Sequence, residues 1–461
     1  MTRLSDASRP GPAPYDRTGT RIGIVHLGPG AFFRAHLASY VDALLARDPR
    51  WAISAVALKS RGVRDALAPQ DGLYTLVELG ETTRMRTLGV IAELLVASET
   101  PEAVAARLAD PAVGLVTLTI TEKGYCLGPD GRLDFGHPDI VADRERPTSA
   151  IGWLVEGLAR RRAADVPPFR VLSCDNLPSN GRALKAAVLA LAAARDRDLA
   201  RWIEAEARFP RTMVDSITPA TDDALRARVR AETGLDDAWP VQRETFAQWA
   251  IEDDLGPGAP DLVSVGATLT GDVEAWEQAK LRLLNGAHSA LAYIGLLRGR
   301  ETVREAMADA ALARFVRALM LEDIAPTLAA PPGLDIPAYV EALLDRFRNP
   351  ALAHRLSQIA WDGSQKLPIR LLGAVRDALV AGRSVERLAV PLVAWMKFVI
   401  RQTRAGVALV DPLAGRLARL SSLDDFLALE AVFPPDLAGD PRLRSALGAI
   451  WIKEPGTLPV A

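Results

Sequence analysis

Cysteine is almost missing from this chain: 461 residues hold only Cys126 and Cys174. Both follow apolar, strand-like stretches. A disulfide framework is excluded, a four-ligand structural zinc site is disfavoured, and a reducing compartment is expected. No run of about 20 uncharged apolar residues occurs, so no membrane-spanning helix is expected. An excess of one charge is missing too. Lys and Arg number 55 against 57 Asp and Glu, a net charge of −2. The cations are dispersed, which offers nucleic acid or another polyanion no surface. The first twenty residues carry Pro10, Pro12 and Pro14 without an apolar run, unlike a secretory signal, and a cytoplasmic location is expected. Internal repeats and low-complexity tracts are absent.

What is present supports a large folded protein. Hydrophobic residues make up 49% and charged residues 24%, a composition that builds cores rather than disorder. The length favours two domains of roughly 150–250 residues each. In the first half, short apolar and β-branched runs alternate with helical stretches. Strands are predicted at Arg21–Leu27, Trp51–Leu58, Val113–Ile120 and Phe169–Cys174. Helices are predicted at Ala31–Arg47, Ala150–Arg162 and Gly181–Arg195. Strands alternating with helices predict an α/β fold with a parallel sheet. From Trp276 onward the pattern is almost wholly amphipathic helix, with a turn at Pro331, Pro332 and Gly333. A boundary near Thr270 therefore separates a Rossmann-type domain, 1–270, from a mostly α-helical substrate domain, 271–461.

The first strand runs into Gly28-Pro29-Gly30-Ala31-Phe32-Phe33-Arg34. The first glycine permits a tight turn. The second lets backbone approach a pyrophosphate seated on a helix N-terminus. Phe33 stands where the usual third glycine would be. Two readings follow, a dinucleotide loop binding NAD or an ordinary strand–helix turn. Position after a strand and before a helix favours the first. The second strand ends Leu58-Lys59-Ser60-Arg61, without the carboxylate that commonly holds an adenosine ribose. Its two cations either tolerate a 2′-phosphate, hence NADP, or are solvated surface charges.

Lys280, Asn285 and His288 interrupt an otherwise apolar helix in KLRLLNGAH. On a regular helix they spread over roughly 140° and span about 12 Å, so they converge only around a nearby ligand or if Gly286 distorts the helix. Alcohol oxidation needs a base for the hydroxyl proton and donors aimed at the developing oxyanion. Lysine, asparagine and histidine suit those tasks. The plainer reading is a surface lysine beside a core-lining Asn and His. Among common dehydrogenase designs, no tyrosine has lysine four residues on, and two cysteines do not furnish a cysteine-ligated catalytic zinc. A lysine base is the design that remains.

The segments IVHLGPGAFFRAH (Ile24–His36), QDGLYTL (Gln70–Leu76), LTITEKGYC (Leu118–Cys126), VLSCDNLPSNG (Val171–Gly181), FPRTMVDSITPATDD (Phe209–Asp223), KLRLLNGAHSALAY (Lys280–Tyr293) and DGSQKLPIR (Asp362–Arg370) span nearly the whole chain. Together they resemble the polyol-specific long-chain dehydrogenase/reductase family, which includes mannitol 2-dehydrogenase and fructuronate reductase. The resemblance implies metal-independent hydride transfer on NAD or NADP, with Lys280 as general base and Asn285 and His288 polarising the reacting oxygen. It implies Asn176 as a further oxygen-binding group and Asp215 as a polar site residue. Glu277 matches a proton-relay carboxylate, and Glu122 a glutamate lining the water path. Members commonly show Phe-His-Arg-Ala-His in the glycine loop. Here Phe33 replaces that histidine, which touches the cofactor contacts of Gly28 to Arg34 and Lys59 rather than the fold.

DGSQKLPIR looks closer to the uronate-reducing branch. Lys366 and Arg370 suit a substrate carboxylate. The alternative is a structural turn or contacts with sugar hydroxyls. A small-molecule sugar acid or polyol is the expected partner. Reduction of fructuronate to mannonate stands ahead of oxidation of mannitol to fructose or of another polyol such as arabinitol. A non-catalytic NAD-binding regulator is the alternative of another class.

Overall fold

The apolar runs of the first half form a five-stranded parallel sheet. Its strands are β1 (Ile22–Leu27), β2 (Ala52–Ala57), β3 (Ile91–Val96), β4 (Leu115–Leu118) and β5 (Arg170–Ser173), in the order β3-β2-β1-β4-β5. A computed structural model describes residues 2–352 and 354–459. Strands β2 and β4 are buried throughout because the sheet is covered on both faces. Along β1, Val25 and Leu27 pack on one face with the helices Pro101–Ala109, Ala150–Ala163 and Asn180–Arg195. Ile24 joins the opposite core with the helix Leu37–Leu45. The strand order reverses between β1 and β4, and in open α/β sheets ligands settle at the carboxyl ends beside such a reversal.

The four predicted strands are present, shortened by a residue or two at their ends, while β3 lies outside those predictions. The predicted helix Ala31–Arg47 is broken at His36, where φ −103° and ψ −85° leave the helical region, into Ala31–Ala35 and Leu37–Leu45. His36 Nε2 bonds the Gln248 carbonyl at 2.9 Å and its ring stacks on Phe32, which holds the break. Two three-stranded sheets also escaped the sequence reading. In one, Tyr74–Leu79 pairs in parallel with Val241–Glu244 and antiparallel with Arg84–Leu88. In the other, Gln248–Glu252 joins Thr212–Asp215 and Thr268–Thr270.

Two units partition the chain, Met1–Val273 and Glu274–Ala461. Among the described residues of the second, the named elements are all helical. Gly286–Leu297 packs on Glu386–Arg404, which packs on Pro441–Trp451. Three segments have π-helical pairing: Lys280–Asn285, Leu319–Ile324 and Pro368–Leu372. Each continues directly from a preceding α-helix.

Candidate active site

Gly28 ends β1 with φ +90°, and a Cβ there would collide with the Thr119 carbonyl oxygen at the end of β4. Only glycine suits both demands. Gly30 is exposed and begins the helix Ala31–Ala35 as its N-cap. A Cβ at Gly30 would have only the Gly28 oxygen within 4 Å, at 3.9 Å. The loop thus leaves the open space beside backbone N–H groups that a pyrophosphate requires. Pro29 is buried, and Ala31 and Phe32 are half-buried.

The side chains of Phe33 and Arg34 turn into the core. Phe33 is fully buried and stacks on His26 with centroids 3.6 Å apart. Arg34 is 1% exposed, donates to the Trp239 carbonyl at 2.6 Å and lies over the Tyr74 and Trp239 rings. What these two positions can offer a cofactor is backbone. Burial pulls the Arg34 guanidinium down to about 10.

Lys59 sits just past β2, where its Nζ lies 2.8 Å from both oxygens of Asp139. Arg61 pairs with Asp65 at 3.1 Å. Both cations that could meet a 2′-phosphate therefore already have carboxylate partners. Asp139 also belongs to a trio with Cys126 and His137 whose donor atoms all lie within 4.8 Å of one another. Lys59 occupies the carboxylate, and His137 Nδ1 accepts the Asp139 N–H at 3.2 Å. These contacts account for the trio as local structure.

The ends of β4 and β5 carry Glu122 and Asn176, both exposed. Asp175 ties the two loops together by accepting from the N–H groups of Ile120 and Thr121 at 3.0 and 2.9 Å, and from the Tyr125 hydroxyl at 2.8 Å. Burial raises the Asp175 carboxyl. Asn180 then stitches β5 to the strand Thr212–Asp215. Its Nδ2 donates to the carbonyls of Ser173 (3.2 Å) and Thr212 (2.9 Å), and its Oδ1 accepts the Thr212 N–H at 3.0 Å. The strand ends in Asp215, 5% exposed. Three residues implied by the family resemblance are thus placed by two polar side chains the sequence reading did not single out, half-buried Asp175 and buried Asn180.

In the helical unit, Glu277, Lys280, Asn285 and His288 lie on one continuous helical run from Val273 to Leu297. Lys280–Asn285 is its π-helical stretch. Bonding between residues five apart stacks such residues one turn above the other. Lys280 and Asn285 are five apart, and Asn285 and His288 are three apart on the α-helix that follows. The π turn therefore brings onto one face three groups that a regular helix would spread. Lys280 and Asn285 are half-buried, and His288 is 7% exposed.

His288 packs on Phe347 at 4.6 Å and on His354 at 5.2 Å between centroids. Burial first, then the charges of His354, Arg346 and Arg370, hold its imidazole well below the ordinary histidine value. It is therefore neutral at working pH. Its Nε2 is buried and without a hydrogen-bond partner among the described residues. Buried polar atoms are rarely left so unless a ligand or water completes them.

Arg370 lies on the π-helical Pro368–Leu372, which packs against Lys280–Asn285. Its Nη1 donates to Ser289 Oγ at 3.3 Å, beside His288, and its Nε is buried without a partner. Among the described residues it forms no ion pair. Lys366, one turn earlier, reaches the Ile359 carbonyl at 3.4 Å. Burial, then the Arg370 charge, lowers its ammonium. Arg346 and His354 escaped the sequence reading. No local motif marks them, and they meet His288 only through tertiary packing.

Two family models cover the chain. The mannitol dehydrogenase Rossmann domain matches residues 22–263 and the mannitol dehydrogenase C-terminal domain residues 272–449. The D-mannonate oxidoreductase of Escherichia coli (strain K12) is 40% identical, over 98% of this chain and 96% of that protein. Among solved structures, a substrate-free D-sorbitol dehydrogenase superposes with a TM-score of 0.93 at 34% identity, covering 100% of both chains. The Pseudomonas fluorescens mannitol 2-dehydrogenase, solved as a ternary complex with NAD and D-mannitol, has a TM-score of 0.80 at 38% identity, over 98% of this chain and 96% of that one. A Rossmann sheet with its glycine loop, followed by a helical unit carrying the Lys–Asn–His face, places the chain in the mannitol dehydrogenase family.

Proposed function

We propose that this protein is an NAD(P)-dependent oxidoreductase that interconverts a secondary alcohol and a ketone on a sugar acid, with fructuronate and mannonate as the pair. One observation carries the choice of a sugar acid: Arg370, beside His288, has a guanidinium without a carboxylate partner among the described residues. Lys366 stands one turn away on the same helix. Guanidinium and carboxylate match in geometry as well as charge. A neutral polyol gives such a pair of cations no counter-charge.

Gly28 and Gly30 supply the loop for the pyrophosphate, and the room at Gly30 fits that role. When bound, the nicotinamide accepts the hydride that leaves the carbinol carbon. Lys280, as a neutral amine, takes the hydroxyl proton as the C–O bond becomes a carbonyl. Asn285 and the neutral His288 donate hydrogen bonds to that oxygen while it is most negative. Asn176 is the further oxygen-binding group and Asp215 a substrate contact. Glu277, three residues before Lys280 on the same helix, passes the proton onward, and Glu122 lines the water path. In the reducing direction the Lys280 ammonium returns the proton to the alkoxide.

The test is a panel of D-fructuronate, D-fructose and polyols with NADH and NADPH, read by nicotinamide absorbance. Wild type should reduce fructuronate with a higher kcat/KM than fructose. Arg370→Met and Lys366→Met should each lower kcat/KM for fructuronate by about 10- to 100-fold, the worth of a charge-assisted contact of about 1.5–3 kcal/mol. Fructose turnover should change much less. Equal losses on both ketoses would sink the carboxylate role and leave mannitol–fructose chemistry as the better reading.

A further inference from the structure

The π turn that aligns Lys280 with Asn285 is an unfavourable local choice. π-helical pairing is rare and appears mostly as single turns. Left to itself the segment would pair as α-helix, and five residues at about 100° each would point the two side chains about 140° apart. Something outside the segment must hold it. Lys280–Asn285 packs against both other π-helical stretches, Leu319–Ile324 and Pro368–Leu372. Gly286, just after the segment, lies against both: a Cβ there would lie 3.0 Å from the Arg370 oxygen, 3.4 Å from Leu371 Cδ2 and 3.6 Å from Ile324 Cδ1.

One side chain ties all three together. Arg282 lies inside the first π-helical segment, with its side chain 14% exposed. Its Nη1 donates to the carbonyl and the hydroxyl of Thr327, each at 3.1 Å, and to Asp377 Oδ2 at 2.6 Å. Thr327 ends the short turn that follows Leu319–Ile324. Asp377 lies in Gly373–Val380, the helix that continues from Pro368–Leu372. Gly373, at the start of that helix, leaves room for the guanidinium: a Cβ there would stand 3.2 Å from Arg282 Nη2. A planar cation with five fixed donors can brace three segments at once.

We infer that Arg282 is a positioning residue for the reaction, holding the π register so that Lys280 and Asn285 address the same substrate oxygen. It touches neither substrate nor cofactor in this role. The inference rests on Lys280 being the base.

Arg282→Met, Asp377→Asn and Lys280→Met are compared with wild type on whichever of fructuronate or fructose wild type reduces faster. The cofactor is NADH, either unlabelled or deuterated at both C4 positions. A displacement of about 1 Å in a catalytic group can cost on the order of 100-fold in rate. Arg282→Met should lower kcat to that extent with KM changed less than about threefold, and the deuterium isotope effect on kcat should rise as the chemical step slows. Asp377→Asn, which leaves the Lys280 helix untouched, should show the same pattern more weakly. Arg282→Lys should recover part of the rate, since an ammonium reaches one acceptor at a time. Folded fraction is followed by near-ultraviolet circular dichroism. A loss of kcat that merely tracks loss of folded protein, with an unchanged isotope effect, overturns the inference. So does a wild-type kcat in folded Arg282→Met. Lys280→Met separates the two readings: its retaining activity overturns the lysine base, whatever Arg282 does.

Discussion

The chemical role proposed for Lys280, at the edge of an apolar helix, draws on its neighbours Asn285 and His288. The polar atom that speaks most directly is His288 Nε2, buried and unpartnered among the described residues. Its ring is neutral because burial and nearby cations disfavour its charge. A neutral imidazole offers one N–H, enough to stabilise an alkoxide without competing for its proton. Lys280→Met should cut kcat/KM by at least about 100- to 10,000-fold, the range for a lost general base. Asn285→Ala should cost about 100- to 1000-fold, as for other oxyanion donors. Fluorescence titration with NADH should show cofactor binding changed little in either variant, because the glycine loop is untouched. Loss of NADH binding alongside activity would assign these residues to cofactor rather than to substrate oxygen.

Among elements, the legible and the illegible divide by the range of the interactions that make them. Strands β1, β2, β4 and β5 announce themselves in short apolar runs, and the Gly28 turn in its glycines. The edge strand β3 carries Glu93 within a mixed pattern. The sheet of Tyr74–Leu79 and Val241–Glu244 pairs residues some 165 apart, which no local window reveals. The π turn at Lys280 is the sharpest case. The residues KLRLLN spell a good α-helix, and only packing against two other segments selects the wider turn. Distortion near Gly286 is one of two ways the sequence reading had for Lys280, Asn285 and His288 to converge, and the distortion found lies in the turn just before it. Gly286 therefore predicts a sign. Gly286→Ala should destabilise the protein by about 1–3 kcal/mol, since the added methyl would stand only 3.0 Å from the Arg370 carbonyl oxygen and push it aside. Gly448 lies in the helix Pro441–Trp451 with nothing within 4 Å of a Cβ. Gly448→Ala should stabilise by about 0.5–1 kcal/mol through helix propensity. Urea titration of the two variants checks the contrast. Two shifts of the same sign would mean that room at Gly286 is not what its glycine serves.

Across the whole molecule, each unit buries a neutral histidine: His26 in the sheet unit and His288 in the helical unit. His26 bonds Thr117 Oγ1 at 2.8 Å, Thr119 Oγ1 at 3.0 Å and the Gly28 carbonyl at 3.2 Å. Burial pulls its imidazole down to about 3, against 6.5 for a free one, and its bond to Gly28 offsets this only in part. Between those values the unfolded chain binds a proton that the folded chain refuses. Stability from this group is complete above pH 6.5 and is lost as pH falls toward 3, by up to about 1.4 kcal/mol per pH unit. Asp42, Asp175 and Asp237 work in the opposite sense. Burial raises their carboxyls, so the folded state takes up protons more readily than the unfolded one as pH falls. The net acid response of wild type therefore mixes both signs, and a difference measurement is needed to isolate the histidine. His26→Asn keeps a polar side chain in the Thr117–Thr119 niche and removes the titration. Unfolding by urea at intervals from pH 7.5 to 4.5 should show the mutant losing stability less steeply than wild type below pH 6.5. The two should run parallel above it, offset by whatever the substitution costs in packing. Parallel curves over the whole range would mean that His26 takes up its proton at the same pH in the folded protein as in the unfolded chain, and that burial does not hold it neutral.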